Sequence, residues 1–175
     1  MVNSKQDLIE YLEPDRVQLG ISRKWPRPFT DEIWKYEMVL RKYEYWINVD
    51  NSIVSKVIKF YYKVKWQTLG IKLRICVGQN TCYKGMSIAH ACCIQINQNA
   101  WVGKNLRIHE GVTLGVSDGK KAPIVGGDVF LESGSKVIGD VKIANSVAVV
   151  ANAVVVKDIL EEGGTVAGTP ALKIS

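Results

Sequence analysis

The feature that most narrows what this chain can fold into is a six-residue period in its second half. Ile96, Val102, Ile108 and Leu114 stand six apart, and after a loop Val125, Leu131, Val137, Ile143, Val149 and Val155 stand six apart again, so that ten aligned positions are aliphatic. Four places beyond each lies a small or aliphatic residue: Ala100, Leu106, Val112, Val129, Ser135, Val141, Val147, Ala153 and Ile159. Only Asp118, in the intervening loop, breaks that second run. Ile, Leu and Val are about three in ten of all residues, so unbroken agreement is not chance. An alternating sheet would repeat at two and a leucine-rich repeat at over twenty. The pattern therefore predicts a solenoid whose short strands each send one aliphatic residue inward, with a small residue where the chain turns. Its interior is filled, so chemistry is expected on outward residues, in the loop between Gly115 and Ile124, or between copies.

The first part of the chain has a different period. Residues 1–70 read as a helical region and 71–175 as the repeat domain. Lys5 to Leu12 reads as a helix; a break at Trp25, Pro26, Arg27 and Pro28 follows. Thr30 is then the expected N-cap of a second helix with Asp31 and Glu32 in its first turn. Ile33, Tyr36, Leu40 and Tyr43 form its buried stripe. A third helix is expected from about Ser52 to Thr68, ended by Gly70.

The chain has 175 residues, 47% of them hydrophobic and 23% charged, which describes an ordered globular protein. Neither a signal peptide nor a run of ~18 apolar residues is visible, and a cytoplasmic protein is expected. The four cysteines, Cys76, Cys82, Cys92 and Cys93, then read as free thiols, with Cys92 and Cys93 on opposite faces of a strand. The net charge of +6 is concentrated. Between Asn51 and Arg74 lie Lys56, Lys59, Lys63, Lys65 and Lys72 with no acid. That is either a solvated helix face or a surface for an anionic polysaccharide, a lipid carrier or a membrane. No nucleic-acid reading motif accompanies it, and nucleic acid is not an expected partner.

The six-residue grammar, with KGMSIAH (84–90), IHEGVTLG (108–115), KAPIVGGDVFL (121–131), VIGDVKIANSVAVVANAVVVKDI (137–159) and VAGTPA (166–171), resembles the hexapeptide-repeat acyltransferases. The likeness covers roughly Gly70 to Ile174. In particular it is similar to the serine-acetyltransferase-like branch found in capsule and polysaccharide gene clusters. The resemblance implies a mainly β fold, a left-handed parallel β-helix carrying an N-terminal α-helical region. It also implies a homotrimer with acetyl-CoA in the groove between neighbouring helices, and direct acetyl transfer without an acyl-enzyme.

The chain has two histidines. Taking Ile88 and Ile108 as inward residues of successive coils stacks His109 over Ala89, diagonal to His90. Strands of neighbouring coils are about 4.8 Å apart, so the two rings can share a site. An imidazole suits abstraction of a hydroxyl proton near neutral pH. By motif position His90 is the expected general base, while His109 binds or orients the acceptor, or packs. Glu110 beside it is a hydrogen-bond candidate that strand alternation would turn away. By the same resemblance Gly115, Ser133, Ala151, Lys157 and Lys173 would line the acetyl-CoA path, with Val116 narrowing it.

Where serine acetyltransferases carry an aspartate before the histidine, another on the preceding coil, and an Arg-His pair before P-x-I, this chain has Ala89, Ile75, and Lys121 with Ala122. Those departures remove groups suited to an amino acid's charged ends, so the expected acceptor is a sugar hydroxyl of a surface polysaccharide or its precursor. Serine O-acetylation is the alternative within the enzyme class, and a non-catalytic trimeric scaffold the alternative outside it. A metal enzyme of the γ-carbonic-anhydrase type would need three histidines per metal, and no metal is expected.

Overall fold

A computed structural model describes residues 1–49, 52–117 and 121–175. Three helices open the chain: α1 (Lys5–Gln18), α2 (Glu32–Val49) and α3 (Ile53–Leu73). Ser4 caps α1 by accepting from the Asp7 N–H. This helix continues six residues past the expected end, through Pro14, because Asp15 is anchored by the rest of the protein as described below. The first i to i−4 bond of α2 runs from the Lys35 N–H to the Asp31 carbonyl, so Asp31 and not Thr30 stands at its N-terminus. Tyr36, Leu40 and Tyr43 are buried as the stripe predicts, and Ile33 packs beside them.

Gly70 does not end α3, which runs on to Leu73 and closes on Arg74 in the left-handed conformation. Gly70 is needed for a different reason. A Cβ there would lie 2.7 Å from the Ile75 carbonyl oxygen, so only glycine lets the next segment fold back against the helix.

Five coils of a left-handed parallel β-helix follow. The first holds β1 (Ile75–Val77) and β2 (Ser87–Ile88), with Cys82 bridging to the coil below between them. The second holds β3 (Ile94–Ile96), β4 (Trp101–Val102) and β5 (Arg107–Ile108); the third β6 (Thr113–Gly115), β7 (Ile124–Val125) and β8 (Phe130–Leu131). The fourth holds β9 (Lys136–Ile138), β10 (Lys142–Ile143) and β11 (Ala148–Val149); the fifth β12 (Val154–Val155) and β13 (Thr165–Ala167). A last strand, β14 (Leu172–Lys173), pairs antiparallel with β13 and closes that end.

The strands stack into three faces, ordered β1-β3-β6-β9-β12, β4-β7-β10 and β2-β5-β8-β11-β13-β14. Register aligns aliphatic on aliphatic: Ile96 with Leu114, Leu114 with Val137, Val137 with Val155, and likewise Ile88, Ile108, Leu131 and Val149. All ten hexad positions are buried. At the corners Asn105, Asp128, Ser146 and Asn152 take left-handed backbone, which short polar side chains tolerate.

The open end of the first coil would expose unpaired backbone groups, and the helices supply partners for them. Asp15 accepts from the N–H groups of Gly85 (2.7 Å) and Met86 (2.9 Å), Glu44 from Asn80 (2.7 Å), Glu37 from Ile88 (3.1 Å) and the Tyr36 hydroxyl from Val77 (3.1 Å). Arg41 donates to the carbonyls of Cys82 (2.8 Å) and Tyr83 (2.9 Å) and pairs with Asp15 and Glu44, all wholly buried. The helical region is thus a polar cap on an apolar column.

Candidate active site

The corner between the face of β2, β5 and β8 and the face of β3, β6 and β9 brings the histidines together. Pairing of Ser87 with Arg107 and Ile88 with Ile108 sets Ala89 beside His109 and His90 diagonal to it, as the hexad count requires. The ring centroids are 5.5 Å apart, with planes at 75°. His90 is exposed and His109 half-buried, its ring edge-on to Phe130 at 4.9 Å. Phe130 in turn carries the Arg107 guanidinium at 5.7 Å.

Ser133 places its hydroxyl 3.5 Å from His109 Nδ1, at the outer limit of a hydrogen bond. His109 Nε2 is buried with no partner among the described residues. Glu110 Oε2 is in the same condition. The Ser133 hydroxyl, then the residue's own backbone N–H and the charges of His90 and His109, hold the Glu110 carboxyl below the usual glutamate value. This carboxylate is therefore ionised and turned toward both imidazoles. Alternation did not carry it away, because the strand ends at Ile108 and the chain turns at Gly111, φ 72°.

The positions that departed from the serine acetyltransferase pattern are as bare as their sequence. Ala89 carries no charge, and Ile75 and Ala122 are buried. Lys121 pairs with Asp140 at 2.7 Å. Charge enters instead from Glu110, a hydrogen-bond candidate from the sequence, and from Arg107, which sequence reasoning missed. Arg107 stands two residues before His109, and outward registry with that ring was the signal that could have found it. Residues 118–120 of the Gly115–Ile124 loop, Asp118 among them, lie outside the described residues.

Cys92 and Cys93 are not on a strand. They form the turn after His90 with φ of 133° and 56°, and their sulfurs are 3.0 Å apart on one side of the chain. The left-handed φ of Cys93 explains why a glycine would suit that position. All four cysteines are free thiols.

Beside this corner a groove of about 1010 Å³ runs between α3 and the face of β1, β3, β6 and β9. Trp66, Ile71, Arg74, Thr113 and Lys136 line it, and Gly134, next to Ser133, lies at its edge. Lys136 Nζ donates to the carbonyls of Gly111 (2.5 Å) and Gly134 (2.9 Å), fixing two stacked corners. The five residues nominated for acetyl-CoA do not gather in one protomer. Ser133 and Ala151 stack on the histidine corner, where the Asn152 N–H donates to the Ser133 carbonyl. Gly115 lies at the opposite edge of the face, level with Ile138, and Lys157 lies just past β12 on that same edge. Lys173, on β14, pairs with Glu161 at 2.5 Å. Val116 packs against the core.

The chain is similar to serine acetyltransferases. One from Staphylococcus epidermidis is 36% identical over 90 residues, which are 50% of this chain and 42% of that protein. A serine acetyltransferase of Staphylococcus aureus matches to the same extent. The chain thus spans about two fifths of the length of these relatives. Among solved structures, a serine acetyltransferase in complex with CoA superposes with a TM-score of 0.77 at 20% identity, covering 97% of this chain and 71% of that one. Soybean serine acetyltransferase complexed with serine gives 0.75 at 18% identity, covering 97% and 70%. At these identities the shared property is the fold, helices and β-helix together. No family model matches the chain.

Proposed function

We propose that this protein is a hexapeptide-repeat acyltransferase that moves an acetyl group from acetyl-CoA to the hydroxyl of serine. The observation that carries the reading is the corner where His90 and His109 meet, with a buried imidazole nitrogen and a carboxylate oxygen both lacking partners. Such atoms are costly unless a bound molecule satisfies them. The named relatives support the acetyl donor and the acceptor. The expected sugar acceptor rested on missing charge, and Arg107 and Glu110 now put both signs of charge beside the imidazoles, which suits a zwitterion.

In this mechanism His90, exposed at the corner, takes the proton of the acceptor hydroxyl as its oxygen attacks the thioester carbonyl, and returns it to the departing CoA sulfur as the carbon–sulfur bond breaks. Bound acetyl-CoA supplies the thioester carbonyl. His109 Nε2 holds the acceptor, and Ser133 fixes that ring through Nδ1. Glu110 offsets the positive charge that His90 acquires, the part an aspartate plays in other His-based sites. Ser133 and Ala151 flank the donor at this corner. Gly115 and Lys157 join the same path only when a second protomer sets its opposite edge against the first, so the reading includes a homotrimer with the donor between subunits.

Ala122 is buried and Lys121 is already paired with Asp140. That observation favours a second reading, in which the acceptor is a neutral sugar hydroxyl of a surface polysaccharide precursor. Thiol release from acetyl-CoA, followed with serine and with a panel of sugars, separates the two. The expected result is serine-dependent release that falls at least ~100-fold in His90→Ala. Release with sugars alone overturns the serine reading, and full activity in the variant overturns the assigned base.

A further inference from the structure

The third helix has a second apolar face that none of the described residues covers. Its inner face is accounted for: Trp66, Leu69 and Leu73 pack on the core, and Trp66 Nε1 donates to the Tyr36 hydroxyl. On the outer face Ile53 (81% exposed), Val57 (65%), Phe60 (68%), Val64 (45%) and Ile71 (80%) are separated by steps of three, four or seven, so they form one stripe along the helix. Val54 and Tyr61, also exposed, widen it. Lys56 and Lys63 follow one border two turns apart, and Lys65 and Lys72 follow the other. Lys72 pairs with Glu32 and Lys65 lies over the Tyr61 ring, while Lys56 and Lys63 have no ion pair among the described residues. The helix itself contains no acid.

We propose that α3 docks this protein on an anionic bilayer, lying along the headgroup layer with the Ile53–Val64 part of the stripe inserted, Ile71 left at the groove beside the histidine corner, and the lysine rows against lipid phosphates. An apolar stripe bordered on both sides by lysines is what an interfacial helix presents. Among the described residues no helix is long and apolar enough to cross a membrane, so α3 rests on the surface. The same stripe could seat a second copy, but helix pairing is specified by acid–base contacts along its borders, and these borders hold bases alone. Anionic lipid complements both lysine rows at once.

The test is co-sedimentation of the full chain with vesicles of pure phosphatidylcholine and of phosphatidylcholine with 30% phosphatidylglycerol. The protein is expected to partition at least tenfold more strongly onto the anionic vesicles, an advantage that added salt erodes. The Val57→Glu/Phe60→Glu double variant alters only exposed side chains outside the candidate active site. It should lose at least tenfold in vesicle binding while keeping its circular dichroism, its acetyl-transfer rate and its mass by light scattering. Equal binding to both vesicle types, or anionic binding undiminished in the double variant, overturns the proposal. A fall in oligomer mass in that variant overturns it in favour of a second copy. Because vesicle binding is read without any acetyl donor, its failure is distinguishable from failure of the acetyltransferase reading.

Discussion

At the scale of single residues, the histidine corner turns on a carboxylate in an unexpected place. Glu110 is ionised and faces His90 and His109, so it stabilises a positive charge on either ring. Replacing it with glutamine keeps the size and removes the charge. The maximal rate should fall by about 10- to 100-fold as the charge formed during transfer loses its partner. An unchanged rate would show that the carboxylate does not act on the base. The meeting of the two rings was legible in the sequence, because counting from Ile88 to Ile108 fixes register and register fixes neighbours. The turning-in of Glu110 was not, because alternation holds only within a strand. The side-by-side sulfurs of Cys92 and Cys93 escaped notice for the same reason: two left-handed residues put both on one side of a turn.

At the scale of elements, the hexad strands were readable because every inward position obeys one rule. The helical cap followed two. Most of the buried residues of α2 are apolar or aromatic, but Glu37, Arg41 and Glu44, which in sequence look like solvent-facing charges, are buried among them. Their burial makes sense only once the backbone of residues 80–88 is placed above them. The limit of α3 was misread in the same way. Glycine inside a helix costs about 1 kcal/mol relative to alanine, so Gly70 looked like a terminator. It is kept because the Ile75 carbonyl needs the space. Gly70→Ala should therefore destabilise the fold by about 1–3 kcal/mol, against the direction of helix propensity, as backbone shifts to relieve the 2.7 Å approach. Urea denaturation measures this directly; a stabilised variant would show that the junction between α3 and β1 can yield. Within the column, Leu131→Ala removes a buried side chain stacked between Ile108 and Val149 and should cost about 2–5 kcal/mol by the same measurement.

At the scale of the whole molecule, an apolar column is closed by a charged network, and the two respond differently to pH. The core of the column is aliphatic apart from the Cys82 thiol, which burial pushes up to about 12. In the network, Arg41 partly offsets the burial that raises the carboxyls of Asp15 and Glu44. Among the described residues Glu37 has no ion pair. Burial, reinforced by the charge of Asp15, pushes its carboxyl well above the ordinary value of 4.5, and its Oε2 has no hydrogen-bond partner. Glu37 therefore keeps its proton in the folded protein, while the unfolded chain releases it above about 4.5. The folded state then binds more protons than the unfolded one, so stability falls as pH rises from that value toward the folded pKa. Asp31 works in the opposite sense and lower down. Arg23, with the Arg27 N–H, holds its carboxyl at about 2, so its contribution is lost only as pH falls from about 3.8 through that value. The two windows do not overlap, so Asp31 adds no slope between pH 5 and pH 8, where the raised carboxyls of Asp15, Glu37 and Glu44 act in one direction and only a variant at Glu37 singles out its share. Glu37→Gln is neutral at every pH and can still accept from the Ile88 N–H. Urea midpoints taken across that interval should decline with pH in the natural protein and decline less steeply in the variant, which gains most at the alkaline end. Parallel slopes would mean that Glu37 is ionised in the folded cap, and that Arg41 neutralises all three carboxylates at once.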